Sequence, residues 1–141
     1  MSSINFKNKS DIVVLIVDDV SIMRKMLKQI LNEHCNITSN NILEANDGAN
    51  AVLLYKKCKP DIVFLDIAMP DKDGKTVIEE LKSIDSEVII IMCTGSGNKH
   101  NVIDCIRAGA KDYVRKPINP ERVKEALDKV MGDILLKGLY V

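Results

Sequence analysis

Side chains that can bind a metal ion or a phosphoryl group stand directly after the apolar segments of this 141-residue chain. Asp18 and Asp19 follow one aliphatic run, and Asp66 follows another. Thr94 and Lys116 follow two further runs nearer the C-terminus. Carboxylate oxygens are ligands that Mg²⁺ prefers, while an ammonium and a hydroxyl group can contact phosphoryl oxygens. The residue types therefore indicate phosphoryl-transfer chemistry, provided that the fold brings them together.

The carboxylates have different roles in that chemistry. At one site Asp18, Asp19 and Asp66 would repel one another, since two unit charges about 4 Å apart cost about 4 kcal/mol at an effective dielectric constant of 20. A hard divalent cation such as Mg²⁺ would relieve this repulsion. Asp66 is the candidate nucleophile because it stands alone after its run, whereas the Asp18–Asp19 pair can hold the metal. Its attack on a phosphorus centre would give an aspartyl phosphate.

Apolar runs and helical patterns alternate along the chain and predict the elements that must position these residues. The runs predict five strands, at 12–17, 42–45, 62–65, 88–93 and 112–114. Apolar residues at helical spacing follow each strand and predict five helices. This alternation predicts an α/β fold, a doubly wound five-stranded parallel sheet with helices on both faces. The carboxyl ends of the strands then meet at one edge, where ligands of such sheets bind.

The first and last helices have clear sequence signals. In the first, apolar residues at helical spacing predict one face: Ile22, Met23, Met26, Leu27, Ile30 and Leu31. In the last, Asn119 is the predicted N-cap and Pro120 the first helical residue. We expect this helix to continue to about Leu136, with Gly138 as its stop.

Composition favours one folded domain and excludes other classes. Hydrophobic residues make up 46% of the chain, and 20 basic side chains balance 20 acidic ones, so binding to nucleic acid or a membrane is not expected. The chain has neither an apolar run long enough to cross a bilayer nor the apolar block of a secretion signal. The cysteines lack metal-site spacing, and Cys93 and Cys105 are expected in the core. We expect a cytoplasmic, single-domain protein.

In combination, Asp18–Asp19, Asp66, Thr94 and Lys116–Pro117 resemble the receiver domain of two-component response regulators. The resemblance covers about residues 11–131 of a single domain at 1–141, with a polar segment at 1–10 and an extension of the last helix at 132–141. Finer motifs are similar to those of the family's single-domain chemotaxis regulators: DDVSIMR at 18–24, NILEANDG at 41–48, DIAMP at 66–70 and DG at 73–74. The resemblance implies a flavodoxin-like sheet with strand order 2-1-3-4-5.

The resemblance also implies a role for each residue that matches the family's motifs. Asp66 would accept the phosphoryl group and would also bind Mg²⁺, the expected cofactor. Asp19 would bind the metal directly, Asp18 through a water molecule, and Ala68 through its backbone carbonyl.

The same resemblance implies that three residues contact the phosphoryl group or respond to it. Thr94 and Lys116 would contact the phosphoryl oxygens, and the Lys116–Pro117 bond would be cis. Tyr113 would be the rotamer switch, because movement of Thr94 toward the phosphoryl group would vacate space that the tyrosine could fill. The fourth helix, fifth strand and fifth helix would then present a changed surface to a partner.

The resemblance implies partners as well. A phosphohistidine kinase would donate the phosphoryl group, and the output would be binding to the flagellar motor switch. The chain would be a monomeric signalling protein, served by a dedicated phosphatase, that catalyses only its own phosphorylation and dephosphorylation. Two alternatives are a phosphorelay intermediate or phosphate sink, and a phosphohydrolase with an aspartyl intermediate. Such hydrolases commonly have a second Asp where this chain has Ala68, which speaks against turnover.

Other features of the sequence allow two interpretations. A basic group near the fourth helix is either a solvated face or a docking surface for an acidic segment; it comprises Lys99, Arg107, Lys111 and Arg115. The apolar residues of 132–141 provide either extra packing or a docking site. Ala68 and Ser96, two positions after the phosphoacceptor and the hydroxyl ligand, bear on the lifetime of the acyl phosphate.

Overall fold

The computed structural model describes residues 11–95 and 99–139, over which five strands and five helices alternate. The strands are β1 (Val14–Val17), β2 (Ile42–Ala45), β3 (Ile62–Asp66), β4 (Ile90–Thr94) and β5 (Asp112–Arg115). The helices are α1 (Ser21–Cys35), α2 (Gly48–Cys58), α3 (Gly74–Ile84), α4 (Lys99–Ala108) and α5 (Pro120–Leu139). Within these ranges no helix is both long and apolar enough to cross a bilayer.

The strands form one parallel sheet in the order β2-β1-β3-β4-β5, which confirms the predicted fold class and strand order. Val17, at the end of β1, lies beside Ala45 of β2 and Leu65 of β3. Asp66 therefore ends a central strand next to the residues that follow β1. The fourth strand was predicted at 88–93, but β4 begins at Ile90. Val88 and Ile89 precede it and are buried. An apolar run indicates burial more directly than it indicates strand pairing.

Alternating strand residues pack into two apolar clusters, one on each face of the sheet. Val14 and Ile16 face the cluster that includes residues of α1 and α5. Leu15 and Val17 face the cluster with residues of α2, α3 and α4. The alternation follows from the two-residue period of a strand. Burial raises the pKa of the Cys93 thiol in the first cluster to about 12, so this cysteine remains a neutral core residue.

Helix α1 buries a narrower face than its apolar pattern predicted. Leu27, Ile30 and Leu31 are buried, whereas Ile22 is 57% exposed and Met26 is 41% exposed. At 3.6 residues per turn, Ile22 and Met26 lie about 100° around the helix axis from their neighbours Met23 and Leu27. These two residues therefore lie at the edge of the predicted apolar face, outside the part that is buried.

Helix α5 begins as predicted and ends later than predicted. The Asn119 side chain accepts a hydrogen bond from the Glu121 N–H at 2.8 Å, which caps the first turn. The helix continues to Leu139, so Gly138 does not stop it. The polar segment 1–10, Ser96 and residues 140–141 lie outside the described residues, as do the side chains of Lys99 and of 135–139.

Two glycines provide a test of this packing. Among the described residues, a Cβ added at Gly132, inside α5, would meet no atom within 4 Å beyond its chain neighbours and the backbone of its own helix, whereas one at Gly74 would lie 2.6 Å from Ile67 Cγ2. We expect Gly132→Ala to raise the free energy of unfolding by about 0.5–1 kcal/mol, because alanine loses less backbone entropy in a helix. Gly74→Ala should lower it. Urea unfolding measures both changes, and a destabilised Gly132→Ala variant would contradict the packing of α5.

Candidate functional site

Three carboxylates meet at the carboxyl edge of the sheet. Among the described residues, three carboxylate oxygens lie within 4.8 Å of one another, one each from Asp18, Asp19 and Asp66. The strand register explains this, because β1 and β3 are neighbours and the acids directly follow or end them. The Asp18 N–H also bonds to the Ala45 carbonyl at 3.1 Å, which extends the β1–β2 pairing to the site. We call these three residues the acidic cluster.

The members of the acidic cluster differ in burial and in their backbone partners. Asp18 is 5% exposed and Asp66 is 3% exposed, whereas Asp19 is exposed to solvent. Asp18 Oδ1 accepts a hydrogen bond from the Val20 N–H at 2.9 Å. Asp66 Oδ1 accepts one from the Ala68 N–H at 3.1 Å. Each buried carboxylate is therefore oriented by an amide two residues further along the chain.

Lys116 brings a positive charge to the acidic cluster. It follows β5, its N–H bonds to the Thr94 carbonyl at 2.7 Å, and the Lys116–Pro117 bond is cis. Its Nζ atom lies 3.2 Å from Asp18 Oδ2 and 3.4 Å from Asp66 Oδ1. Within the described part of the chain, one ammonium lies between two buried carboxylates with Asp19 close by, which leaves the cluster with excess negative charge.

Burial and the neighbouring opposite charge shift the pKa in opposite directions, both at Asp66 and at Lys116. Burial raises the pKa of Asp66, and the charge of Asp18 adds to this, while the Ala68 N–H and the Lys116 ammonium oppose it. Burial alone would lower the pKa of Lys116, but Asp66 and Asp18 outweigh that effect and raise it. The ionised form of Asp66 therefore depends on positive charge beside it.

The chemistry of the cluster fits a hard divalent cation. All of its donors are carboxylate oxygens, and a Mg²⁺ ion binds such donors while keeping some of its water molecules. Asp19 is open to solvent, as a ligand of a partly hydrated ion would be. Ala68, the other predicted metal ligand, is exposed beside Asp66, and the role of its carbonyl stays a prediction.

Thr94 and Tyr113 lie on the two strands beyond the acidic cluster. Thr94 ends β4, is buried, and donates a hydrogen bond from its hydroxyl to the Gly95 carbonyl at 3.2 Å. Tyr113 lies on β5, where its ring centroid is 5.8 Å from the Arg122 guanidinium carbon. A cavity of about 480 Å³ adjoins this residue and is lined by Tyr113, Arg115, Pro117, Asn119 and Arg122. The ring therefore has a cationic partner and open space beside it.

Arg24 contacts the site, although no role was predicted for it from the sequence. Its Nη1 donates to the Asp18 carbonyl at 2.7 Å, and its Nε donates to the Glu44 carboxylate at 3.2 Å. The arginine thus links the peptide between Asp18 and Asp19 to strand β2. Its position six residues after Asp18, within the DDVSIMR motif, was the available signal, but the contact with Glu44 depends on strand pairing.

Comparison with known proteins identifies the family to which the chain is similar. The family pattern described as the response regulator receiver domain matches residues 14–128. The chain is 46% identical over 119 residues to the chemotaxis protein CheY of Bacillus subtilis, a match that covers 84% of this chain and 97% of that protein. It is 47% identical over 117 residues to CheY of Thermotoga maritima, covering 83% and 95%.

Solved structures give the same result for the fold. The receiver domain of AraT, a response regulator from Geobacillus stearothermophilus, superposes with a TM-score of 0.78 and 30% identity, over 89% of this chain and 97% of that one. The match at 14–128 includes every residue of the acidic cluster together with Thr94, Tyr113 and Lys116. The chain therefore belongs to the response regulator receiver domain family.

Proposed function

We propose that this protein is a phosphorylation-activated, single-domain response regulator that accepts a phosphoryl group on Asp66 in the presence of Mg²⁺. The observation that carries the proposal is the acidic cluster, with the Lys116 ammonium 3.4 Å from Asp66 Oδ1. The similarity to CheY proteins supports it, because the match to the Bacillus protein spans 97% of that chain. The core at about 11–131 would thus act as the receiver.

In the proposed reaction the chain orients its nucleophile and balances charge. An Asp66 oxygen forms a bond to phosphorus while the P–N bond of the donor phosphohistidine breaks, and the imidazole nitrogen leaves with the bonding electrons. The Ala68 N–H holds Asp66 Oδ1, and Lys116 is positioned to contact a phosphoryl oxygen. Mg²⁺, when bound, neutralises charge on the transferred group. Asp18, Asp19, Asp66 and the Ala68 carbonyl are its proposed ligands.

The residue two positions after the phosphoacceptor favours signalling over hydrolytic turnover. Ala68 has a methyl group where an aspartyl-phosphate hydrolase would need an acid or base. The aspartyl phosphate would therefore persist until water or a separate phosphatase removes it. This supports a role as a phosphoacceptor rather than as a phosphohydrolase.

The output would be a phosphate-dependent change in protein binding. The Thr94 hydroxyl, now bonded to the Gly95 carbonyl, would turn to the phosphoryl group, and Tyr113 would move in response. We propose that one surface changes on phosphorylation, and we call it the output face. It combines exposed apolar and basic residues: Ile103, Ile106, Arg107, Lys111 and Arg115. It fits an acidic, partly apolar segment, and the CheY relatives make the flagellar motor switch our proposed partner.

Transfer of the phosphoryl group to a further histidine, without such binding, would indicate a phosphorelay role.

The first test is chemical labelling. Incubation with Mg²⁺ and labelled acetyl phosphate should place one labile phosphoryl group per chain on Asp66, and Asp66→Asn should remove it because an amide is a poor nucleophile. Mass spectrometry after borohydride trapping locates the site. The matched control is Asp104→Asn, which changes an exposed carboxylate on α4 and should label fully. An unlabelled wild-type chain, or a labelled Asp66→Asn variant, would contradict the proposal.

The second test concerns the output face. Reversing charge with Arg107→Glu and Lys111→Glu should weaken binding of the phosphorylated chain to an acidic motor-switch segment about tenfold, because it removes electrostatic complementarity. Labelling of Asp66 should not change. Fluorescence anisotropy measures the affinity, and the control is Lys56→Glu with Lys57→Glu, which reverses two exposed charges on α2 and changes the net charge by the same amount. Equal weakening by the control would show that net charge, and not this face, determines binding.

A further inference from the structure

The loop that follows the phosphoacceptor strand is tied to a helix distant in the sequence. We call residues 67–73 the acceptor loop; it connects β3 to α3 and contains Ala68. Asp71 Oδ2 accepts hydrogen bonds from the Gly48 N–H at 3.0 Å and from the Ala49 N–H at 3.4 Å. These amides form the start of α2, so a carboxylate of the acceptor loop binds the positive end of that helix.

Helix α2 does not depend on Asp71 alone for its cap. Asp47 precedes the helix and accepts a hydrogen bond from the Asn50 N–H at 2.7 Å. The two carboxylates thus bond to different amides of the same first turn. Asp47 is local to α2, whereas Asp71 comes from the acceptor loop. The additional contact therefore holds the loop rather than simply starting the helix.

The packing around this contact leaves little freedom. A Cβ added at Gly48 would lie 2.8 Å from Val77 Cγ2 and 3.3 Å from Asp71 Oδ2, so α2 approaches the loop and α3 closely. Two residues after Asp71, Asp73 ends the loop and caps α3 by accepting a hydrogen bond from the Thr76 N–H at 2.8 Å. The last part of the acceptor loop is therefore fixed to two helices.

We propose that Asp71 is a positioning residue that holds the acceptor loop so that Ala68 stays beside Asp66; this inference rests on the proposed function. Ala68 lies between two fixed points, the end of β3 at Asp66 and the contact of Asp71 with α2. Its N–H bonds to Asp66 Oδ1, and its carbonyl belongs to the peptide that leads toward Asp71. Loss of the Asp71 contact would free that peptide and weaken the Mg²⁺ site without removing any of its ligands.

The experiment compares Asp71→Ala with Asp47→Ala, since each variant removes one carboxylate from the start of α2. Both should fold, as judged by circular dichroism, with similar decreases in melting temperature. Mg²⁺ titration followed by amide NMR shifts should show a dissociation constant raised about tenfold in Asp71→Ala and unchanged in Asp47→Ala. Asp71→Asn keeps an acceptor oxygen and should keep most of the Mg²⁺ affinity.

A second measurement does not require metal. Hydrogen exchange at the Ala68 amide should be faster in Asp71→Ala than in wild type or Asp47→Ala. Unchanged exchange and unchanged Mg²⁺ affinity in Asp71→Ala would overturn the inference, as would equal weakening by Asp47→Ala. If wild type itself bound no Mg²⁺, the proposed function would fail instead, while exchange at Ala68 would still decide whether Asp71 restrains the loop.

Discussion

The mutual repulsion of Asp18, Asp19 and Asp66, only partly balanced by Lys116, is the constraint on which the site depends. Two of these acids are almost fully buried, and Lys116 Nζ lies within 3.4 Å of both. Burial of like charges costs free energy of folding, so the rest of the molecule has to offset it. The same cost makes the cluster a favourable place for a cation, which links metal binding to the fold.

The parallel sheet provides the rigidity that this arrangement requires. Strands β1 and β3 are central and neighbouring, so the acids that follow or end them cannot separate without disrupting the sheet. The apolar clusters on both faces hold these strands. Hydrogen bonds from outside the strands then fix the site: Arg24 binds the backbone carbonyl of Asp18, and the Ala68 N–H binds the Asp66 carboxylate. The packing of the core thus offsets the free-energy cost of the acidic cluster at one edge of the sheet.

Much of the fold was predictable because local patterns determined it. Unbroken apolar runs identified the buried strands, and the rule that parallel strands end at one edge placed Asp18, Asp66 and Lys116 together. Patterns failed where tertiary geometry decides: Ile22 and Met26 fit a helical period but lie beside the buried face. The contact of Asp71 with α2 joins residues 23 positions apart and has no local signature.

The effect of Mg²⁺ on thermal unfolding tests the central claim most directly, because a cation that binds the acidic cluster only in the folded chain must stabilise that state. At constant ionic strength, a Mg²⁺ concentration 100 times the dissociation constant should raise the free energy of unfolding by about 2.7 kcal/mol, and the melting temperature with it. Asp66→Asn should remove most of this increase by removing one of the crowded charges. A melting temperature that does not change with Mg²⁺, or an equal increase in Asp66→Asn, would contradict the account.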